Sequence, residues 1–220
     1  HAQFRRQRQM CIRDSGEDTR VLKVSYAGEK GFEIHVHNNS MKKIYDELVQ
    51  HGENFNLIHF GMLALDSMRL EKNYRSWKSD LTSDYTMLQS GLEKWIKFDK
   101  GNFIGKEALK NEFDLGTSKK FVTLVVDDPE DNKPFGEPVY LSPVFAGDDY
   151  LGPIVSSGYG HRVKKSISMA ILDDRNLNGL NDQLYIDVLG RKRKAYIVNE
   201  ALYDPCLLYT SDAADETERV

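Results

Sequence analysis

The spacing of apolar residues changes character about halfway along the chain. In the first half, Val21–Tyr26 (VLKVSY) is β-branched and partly alternating, which predicts a strand. Gly28-Glu29-Lys30-Gly31 supplies a turn, because glycine reaches positive φ without a steric penalty. Phe32–His37 (FEIHVH) alternates strictly. Phe32, Ile34 and Val36 share one side; Glu33, His35 and His37 share the other. Together these segments predict a β-hairpin. Ser40 is placed to cap a helix over Met41 to about Gln50, with Ile44, Tyr45, Leu48 and Val49 on its apolar face. His51-Gly52 ends it. Gly61–Lys72 (GMLALDSMRLEK) is rich in helix formers. Its apolar positions Met62, Leu63, Leu65, Met68 and Leu70 cover a broad face, which predicts a well-buried helix.

Lys106–Phe113 reads as a short helix, and the period then shortens. Phe121–Val126, Pro138–Leu141, Leu151–Val155, Ser166–Leu172, Gln183–Val188 and Lys194–Val198 all read as strands, separated by Pro, Gly, Asn and Asp. Strands and helices first, then several short strands, predict an α+β layer followed by a small antiparallel barrel or sandwich. The boundary falls near Lys106–Lys120.

Composition adds exclusions. The chain has 220 residues, 40% apolar and 29% charged, which suits a globular core and argues against disorder or a coiled coil. No run of 18 apolar residues spans a membrane. A net charge of −4 gives no basic field for nucleic acid. The ends carry a separate signal. If Arg5–Ser15 (RRQRQMCIRDS) is encoded CGT CGG CAG CGT CAG ATG TGT ATA AGA GAC AGx, the opposite strand in a shifted frame encodes C-L-L-Y-T-S-D-A-A-D, the residues from Cys206 onward. One DNA element in inverted orientation thus accounts for both ends, and it resembles a transposase sequencing adapter read as coding sequence. Both cysteines, Cys11 and Cys206, lie in these ends, so they carry no redox argument. The remainder, from about Gly16 to Pro205, is expected to be a fragment of a longer reading frame.

Few residues outside the ends suggest chemistry. The hairpin turn brings Tyr26 and Glu33 close. A carboxylate there can accept two parallel N–H bonds from a flat amide-and-amine edge, such as a pterin's, or from an arginine fork. A tyrosine adds a ring face and a hydroxyl. On residues alone, an ordinary solvated glutamate and a half-buried tyrosine are the commoner explanation. His35 and His37 have a spacing that can bind metal but lack a third ligand, so a structural pair is favoured. Asp66 and Arg69, at i and i+3, fit an intrahelical pair. Gly158-Tyr159-Gly160-His161 begins like a dinucleotide loop, but Val163 stands at the last glycine position and a strand follows, so it reads as a hairpin turn. Arg191-Lys192-Arg193-Lys194 reads as a solvated turn between strands. Asn38-Asn39-Ser40 matches a glycosylation sequon, a frequent chance match.

An ordered set of motifs is more specific. Ser25–Glu33, SYAGEKGFE, resembles the GYTGEDGFE motif of the glycine-cleavage T-protein (aminomethyltransferase) superfamily. Ala64–Lys72, ALDSMRLEK, resembles the helix that follows it. Tyr74-Arg75-Ser76-Trp77, Asp80-Leu81-Thr82, Gly91-Leu92 and Phe103–Leu109 resemble the continuation, and Ser157–Lys165 followed by SISMAIL resembles the family's barrel. The resemblance covers Arg20 to Pro205. Within the superfamily, ALDSMRLEK with YRSW is most similar to the C-terminal folate-binding half of dimethylglycine and sarcosine dehydrogenases. Leu65 stands where the stand-alone aminomethyltransferases usually carry Arg.

The resemblance implies a tetrahydrofolate site in which Tyr26 packs at the pterin and Glu33 holds its amino edge, with Ile34 and His35 lining the same strand. The implied fold is α+β: the C-terminal part of an aminomethyltransferase-like folate-binding domain, then an antiparallel Greek-key β-barrel. The expected organisation is adapter sequence at 1–15, a partial folate-binding domain at 16–105, a connecting helix and linker at 106–119, the barrel at 120–205, and adapter sequence at 206–220. The family's catalytic aspartate is expected upstream, so no catalytic residue is assigned. The implied activity is oxidative demethylation of a methylated amine, with the carbon passing to tetrahydrofolate and FAD on an upstream domain. A stand-alone aminomethyltransferase working with a lipoyl carrier protein is the alternative, or a folate-binding module without catalysis. No nucleic acid or membrane partner and no metal is expected, the location is expected to be cytoplasmic, and this chain alone is expected to be inactive.

Overall fold

The computed structural model describes residues 9–14, 17–127, 137–174, 177 and 184–205. The two end segments assigned to adapter sequence lie outside these residues, apart from a strand at 9–14. The chain divides into two compact units, residues 1–66 with 206–220, and residues 67–205.

In the first unit, β1 (Gln9–Asp14), β2 (Glu17–Leu22) and β3 (Glu33–His35) form an antiparallel sheet in the order β1-β2-β3. Arg20 lies opposite His35, Val21 opposite Ile34, and Leu22 opposite Glu33. The predicted hairpin exists, but its strands are shorter or displaced. Its first strand ends at Leu22 rather than Tyr26, its second keeps only Glu33–His35, and residues 23–32 form the connection. A bend over Tyr26–Lys30, with Gly28 at φ 73°, breaks the pairing before the alternation of FEIHVH can use it. Nor does that alternation bury an apolar face, since Phe32 is 61% and Ile34 41% exposed.

Helix α1 (Asn38–Gly52) starts earlier than the sequence predicts, and its cap is His37 rather than Ser40. His37 has extended backbone, and its Nδ1 accepts the Asn39 N–H at 3.3 Å, which satisfies one of the orphan donors of the first turn. Helix α2 (Met62–Glu71) matches its predicted range, but its burial is reversed. Met62 and Leu63 are exposed, whereas Arg69, Leu70 and Glu71 are buried. The division between the units falls inside this helix, between Asp66 and Ser67.

In the second unit, α3 (Lys106–Leu115) runs slightly past its predicted end and stops at Gly116, whose φ is 85°. Six strands then close into a barrel: β4 (Lys119–Val126), β5 (Pro143–Ala146), β6 (Asp149–Gly160), β7 (Lys165–Asp173), β8 (Leu184–Val188) and β9 (Arg191–Val198). The order around the barrel is β4-β7-β6-β5-β8-β9, and every pairing is antiparallel. The run β5-β6-β7 is consecutive and β4 lies beside β7, which is a Greek key. Closure leaves no free edge.

Three predicted details of the barrel shift. Pro138–Leu141 is not a strand; it is a turn in which Leu141 takes φ 67°, and the strand begins at Pro143, a first position where the missing N–H is tolerated. Gly158–Gly160 belongs to β6, and the hairpin turn comes just after, at residues 161–164. Arg191–Lys194 opens β9, the turn being Leu189-Gly190 with φ 53° and 81°, as a two-residue hairpin requires. Arg193 is buried on this strand while Arg191, Lys192 and Lys194 face solvent.

Strand β7 explains why its sequence reads as nearly continuous. Ala170 and Leu172 join Val122, Leu124, Ile154 and Ile186 in the barrel interior. Ile167, Met169 and Ile171 form a second core outside the barrel with Leu70, Phe121 and Val155. Both faces are buried, so polar alternation is lost. Among the described residues, no helix is long and apolar enough to cross a membrane.

Gly152 of β6 has φ 153°, and a Cβ there would stand 2.2 Å from the Ile171 carbonyl oxygen. Gly152→Ala is expected to lower unfolding stability by about 2 kcal/mol or more in urea denaturation. Gly101→Ala, with nothing within 4 Å of its added Cβ, is expected to change it by less than about 0.5 kcal/mol.

Candidate functional site

The residues singled out by sequence gather on the hairpin of the first unit. Glu33, Ile34 and His35 are the whole of β3, and Tyr26 lies in the connection that precedes it. Glu33 and His35 project to the same side, with His35 Nε2 3.2 Å from Glu33 Oε2. Their side chains are 52% and 54% exposed, so the carboxylate is anchored at one oxygen and open to solvent. Tyr26 is half-buried, and its hydroxyl is a buried group with no hydrogen-bond partner among the described residues. Buried hydroxyls are normally satisfied, so an orphan of this kind fits a missing ligand. His37 Nδ1 is engaged at the helix cap, and His35 by Glu33, so these two histidines serve separate local contacts.

The second unit contains a set of buried charges that the sequence did not reveal as such. Arg69, read from its spacing as half of an intrahelical pair, is held by Asp80. Its Nη1 donates to Asp80 Oδ2 at 2.8 Å and to the Tyr74 carbonyl at 3.1 Å, and its Nη2 donates to Ser156 Oγ at 3.0 Å. Asp80 also accepts the Ser76 N–H at 2.6 Å, the Ser156 hydroxyl, and the Ser79 hydroxyl at 3.4 Å. The side chains of the pair are 5% and 0% exposed. Two residues on, Glu71 Oε1 accepts the N–H groups of Arg162 and Val163 at 2.7 and 3.1 Å, tying the helix to the β6–β7 turn. Next, Lys72 Nζ donates to Asp204 Oδ2 at 2.8 Å, and both side chains are 1% exposed. The centre of the Tyr203 ring lies 5.0 Å from Lys72 Nζ and 4.2 Å from the Arg162 guanidinium carbon. Gly158 admits Leu70, whose Cδ1 would stand 2.7 Å from an added Cβ.

These charges serve attachment. The end of α2 docks on the barrel through Ser67, Leu70 and Glu71, and the segment after β9 docks on the same helix end. The Ser67 hydroxyl donates to the Tyr159 carbonyl at 2.6 Å, and the Tyr203 N–H donates to the Glu71 carbonyl at 3.0 Å. Nearby, burial holds the Tyr74 phenol above its ordinary range, with Asp204 adding to the effect. Burial lowers the Arg75 guanidinium, opposed by Glu93 and Asp80; this group lies 4.3 Å from the centre of the Phe121 ring. A detectable signal existed in the sequence: Arg69, Glu71 and Lys72 point in different directions around a helix end, so they cannot all belong to one solvated face.

Comparison with known proteins matches this architecture. Residues 2–100 match the GCVT N-terminal domain, and residues 119–204 match the glycine cleavage T-protein C-terminal barrel domain. An aminomethyltransferase of Pseudothermotoga lettingae is 32% identical over 188 residues, which is 86% of this chain and 49% of that protein. One from Thermoanaerobacter sp. is 29% identical over 197 residues, 88% of this chain and 52% of its own length. The mitochondrial dimethylglycine dehydrogenase of Mus musculus is 30% identical over 187 residues, 83% of this chain and 20% of its own length. The crystal structure of the glycine cleavage aminomethyltransferase T from Bartonella henselae superposes with a TM-score of 0.73 at 19% identity, covering 85% of this chain and 50% of that one, and so shares the fold. The chain belongs to the glycine-cleavage T-protein superfamily. It spans about half the length of the aminomethyltransferases and a fifth of the dehydrogenase.

Removing one partner of a buried pair strands the other charge. Asp80→Ala is expected to cost about 3–5 kcal/mol in urea denaturation, since Arg69, Ser76 and Ser156 all lose an acceptor. A second expectation concerns alkaline pH. The folded chain holds the Tyr74 proton more tightly than the unfolded chain, whose phenol has the ordinary value of 10.0. Above that pH the unfolded state releases its proton first, so stability falls as pH rises. Tyr74→Phe is expected to flatten that fall when urea midpoints are compared at about pH 9 and about pH 11.

Proposed function

We propose that this chain is the folate-holding portion of a tetrahydrofolate-dependent one-carbon enzyme. The observation that carries the reading is the Glu33 carboxylate, fixed at one oxygen by His35 and otherwise open on a three-residue strand. A carboxylate so held can accept the paired N–H donors of a pterin edge, a geometry that fixes both position and orientation. Tyr26 offers a ring face and an unpartnered hydroxyl, and Ile34 offers apolar surface on the same strand. Tetrahydrofolate, when bound, supplies the nitrogens that accept a one-carbon unit; the residues of this chain bind and orient it.

For the whole protein we infer an enzyme that demethylates a methylated amine oxidatively, with FAD on a domain outside this chain. Leu65 and the segment Tyr74–Trp77 support that branch. The aminomethyltransferase reading, with a lipoyl carrier as partner, is supported by half-length matches of equal quality. Coding sequence upstream of Gly16 that contains a flavin-binding unit favours the first, and a start codon about half a folate domain upstream favours the second.

The site itself is tested with 5-formyltetrahydrofolate as a stable probe, by calorimetry on the 220-residue chain and on the chain extended upstream. Glu33→Gln is expected to weaken binding about tenfold or more, because an amide replaces one of two charge-assisted acceptors with a donor. Unchanged affinity in the extended Glu33→Gln protein would remove Glu33 from the site.

A further inference from the structure

We infer that the first unit carries one half of a hydrophobic core, and that the stretch of the same protein ahead of Gly16 docks on it and supplies the other half. The docking face is built from α1 and the segment that follows it. The inference goes beyond the folate reading and does not depend on it.

Helix α1 has an apolar stripe at helical spacing: Met41, Ile44, Tyr45 and Leu48. Ile44 is buried, whereas Met41, Tyr45 and Leu48 are exposed. The ion pair of Lys42 with Asp46 lies on the other side of the helix, so α1 turns both a charged face and an apolar one to solvent. After the helix the chain turns back at Asn56, whose φ is 55°. The Leu57 N–H donates to the Gly52 carbonyl at 3.1 Å, and Leu57 packs so closely on Gly52 that an added Cβ would stand 2.7 Å from its Cδ1. The Tyr45 and His59 rings then meet at 5.9 Å. Ile58 and Phe60, which flank His59 and are both exposed, thereby continue the stripe of α1, with the exposed Phe55 at the helix end.

Among the described residues of the first unit, Ile44 is the only buried large apolar side chain; the others belong to the second unit. A layer that buries so little has no core of its own and needs a second apolar layer against it. The length of the relatives points to its source. The aminomethyltransferases matched by this chain are about twice as long as the shared part, and the shared part closes on the C-terminal barrel. Their remaining half therefore lies ahead of it, next to the residues that match the N-terminal domain. That half must present an apolar helix stripe or sheet face, because polar groups set against Met41, Leu48 and Ile58 would lose their hydrogen bonds to water without replacement.

The test compares the 220-residue chain with the upstream-extended protein. Both are treated with hydrogen peroxide, and peptide mass spectrometry reads each methionine separately. Met41 is 59% exposed in this chain; Met87, in the second unit and 40% exposed, is the control. Both are expected to oxidise readily in the 220-residue chain. In the extended protein Met41 is expected to react about tenfold more slowly or less, and Met87 within about twofold of its rate in the shorter chain. An unchanged Met41 rate overturns the inference, and so does an equal slowing of Met41 and Met87. Slow oxidation of Met41 in the 220-residue chain that quickens on dilution makes a second copy the occupant and overturns it too. Ile58→Lys gives an independent reading. It is expected to leave the urea midpoint of the 220-residue chain unchanged, because Ile58 is 81% exposed there, and to lower that of the extended protein, where the charge would be buried. The same midpoint shift in both proteins overturns the docking.

Discussion

Asp80 has no contact with solvent, and a carboxylate in that position must be surrounded by donors. The donors come from three separate places: Arg69 at the end of α2, Ser76 and Ser79 in the loop that follows, and Ser156 on β6. One side chain therefore fixes where a helix end, a loop and a barrel strand meet. The neighbouring charges extend the arrangement, with Glu71 holding the β6–β7 turn and Lys72 holding Asp204 after β9. Against apolar residues of similar shape such pairs bring little net stability. Their contribution here is direction: an apolar patch would let the helix end slide over the barrel, whereas these bonds admit one seating. The motif ALDSMRLEK, which helped to mark the family, holds in its second half the residues that make this attachment.

Much of the fold was legible because short strands bounded by turn residues are a local signal. The helices at Met62–Glu71 and Lys106–Leu115, the change of architecture after the second of them, and the strand at Ser166–Leu172 follow directly from spacing. The misplaced pieces have a common origin in backbone conformations that the side chains do not announce. Leu189 takes a left-handed conformation in a two-residue turn, so the basic run beside it looked like the turn itself. Leu141 does the same ahead of β5. Burial on α2 was misjudged because hydropathy assigns its apolar first half to the inside, whereas tertiary partners draw its charged end there.

The candidate site was legible in its residue types and not in its arrangement. A glutamate and a tyrosine flanking a glycine turn are visible in any reading of the sequence. The His35 contact needs strand geometry, since two residues on one face become neighbours only once the strand is formed. The partners of the buried charges lay beyond reach for a different reason. Lys72 and Asp204 are 132 positions apart, and Glu71 and Arg162 are 91 apart, so the spread of charges around the helix end signals burial without naming the partners.

Strand β7 turns two faces of unequal bulk toward two different interiors. Inward it presents Ser166, Ser168, Ala170 and Leu172; outward it presents Ile167, Met169 and Ile171. A slip of one residue during assembly would exchange those sets, forcing three long side chains into a space shaped for serine and alanine and leaving hydroxyls against Leu70 and Phe121. Mispairing at this strand is therefore penalised on both sides at once. The strand acts as a vernier: its own sequence states where zero is, and β4 and β6, which pair along its two edges, take their alignment from it.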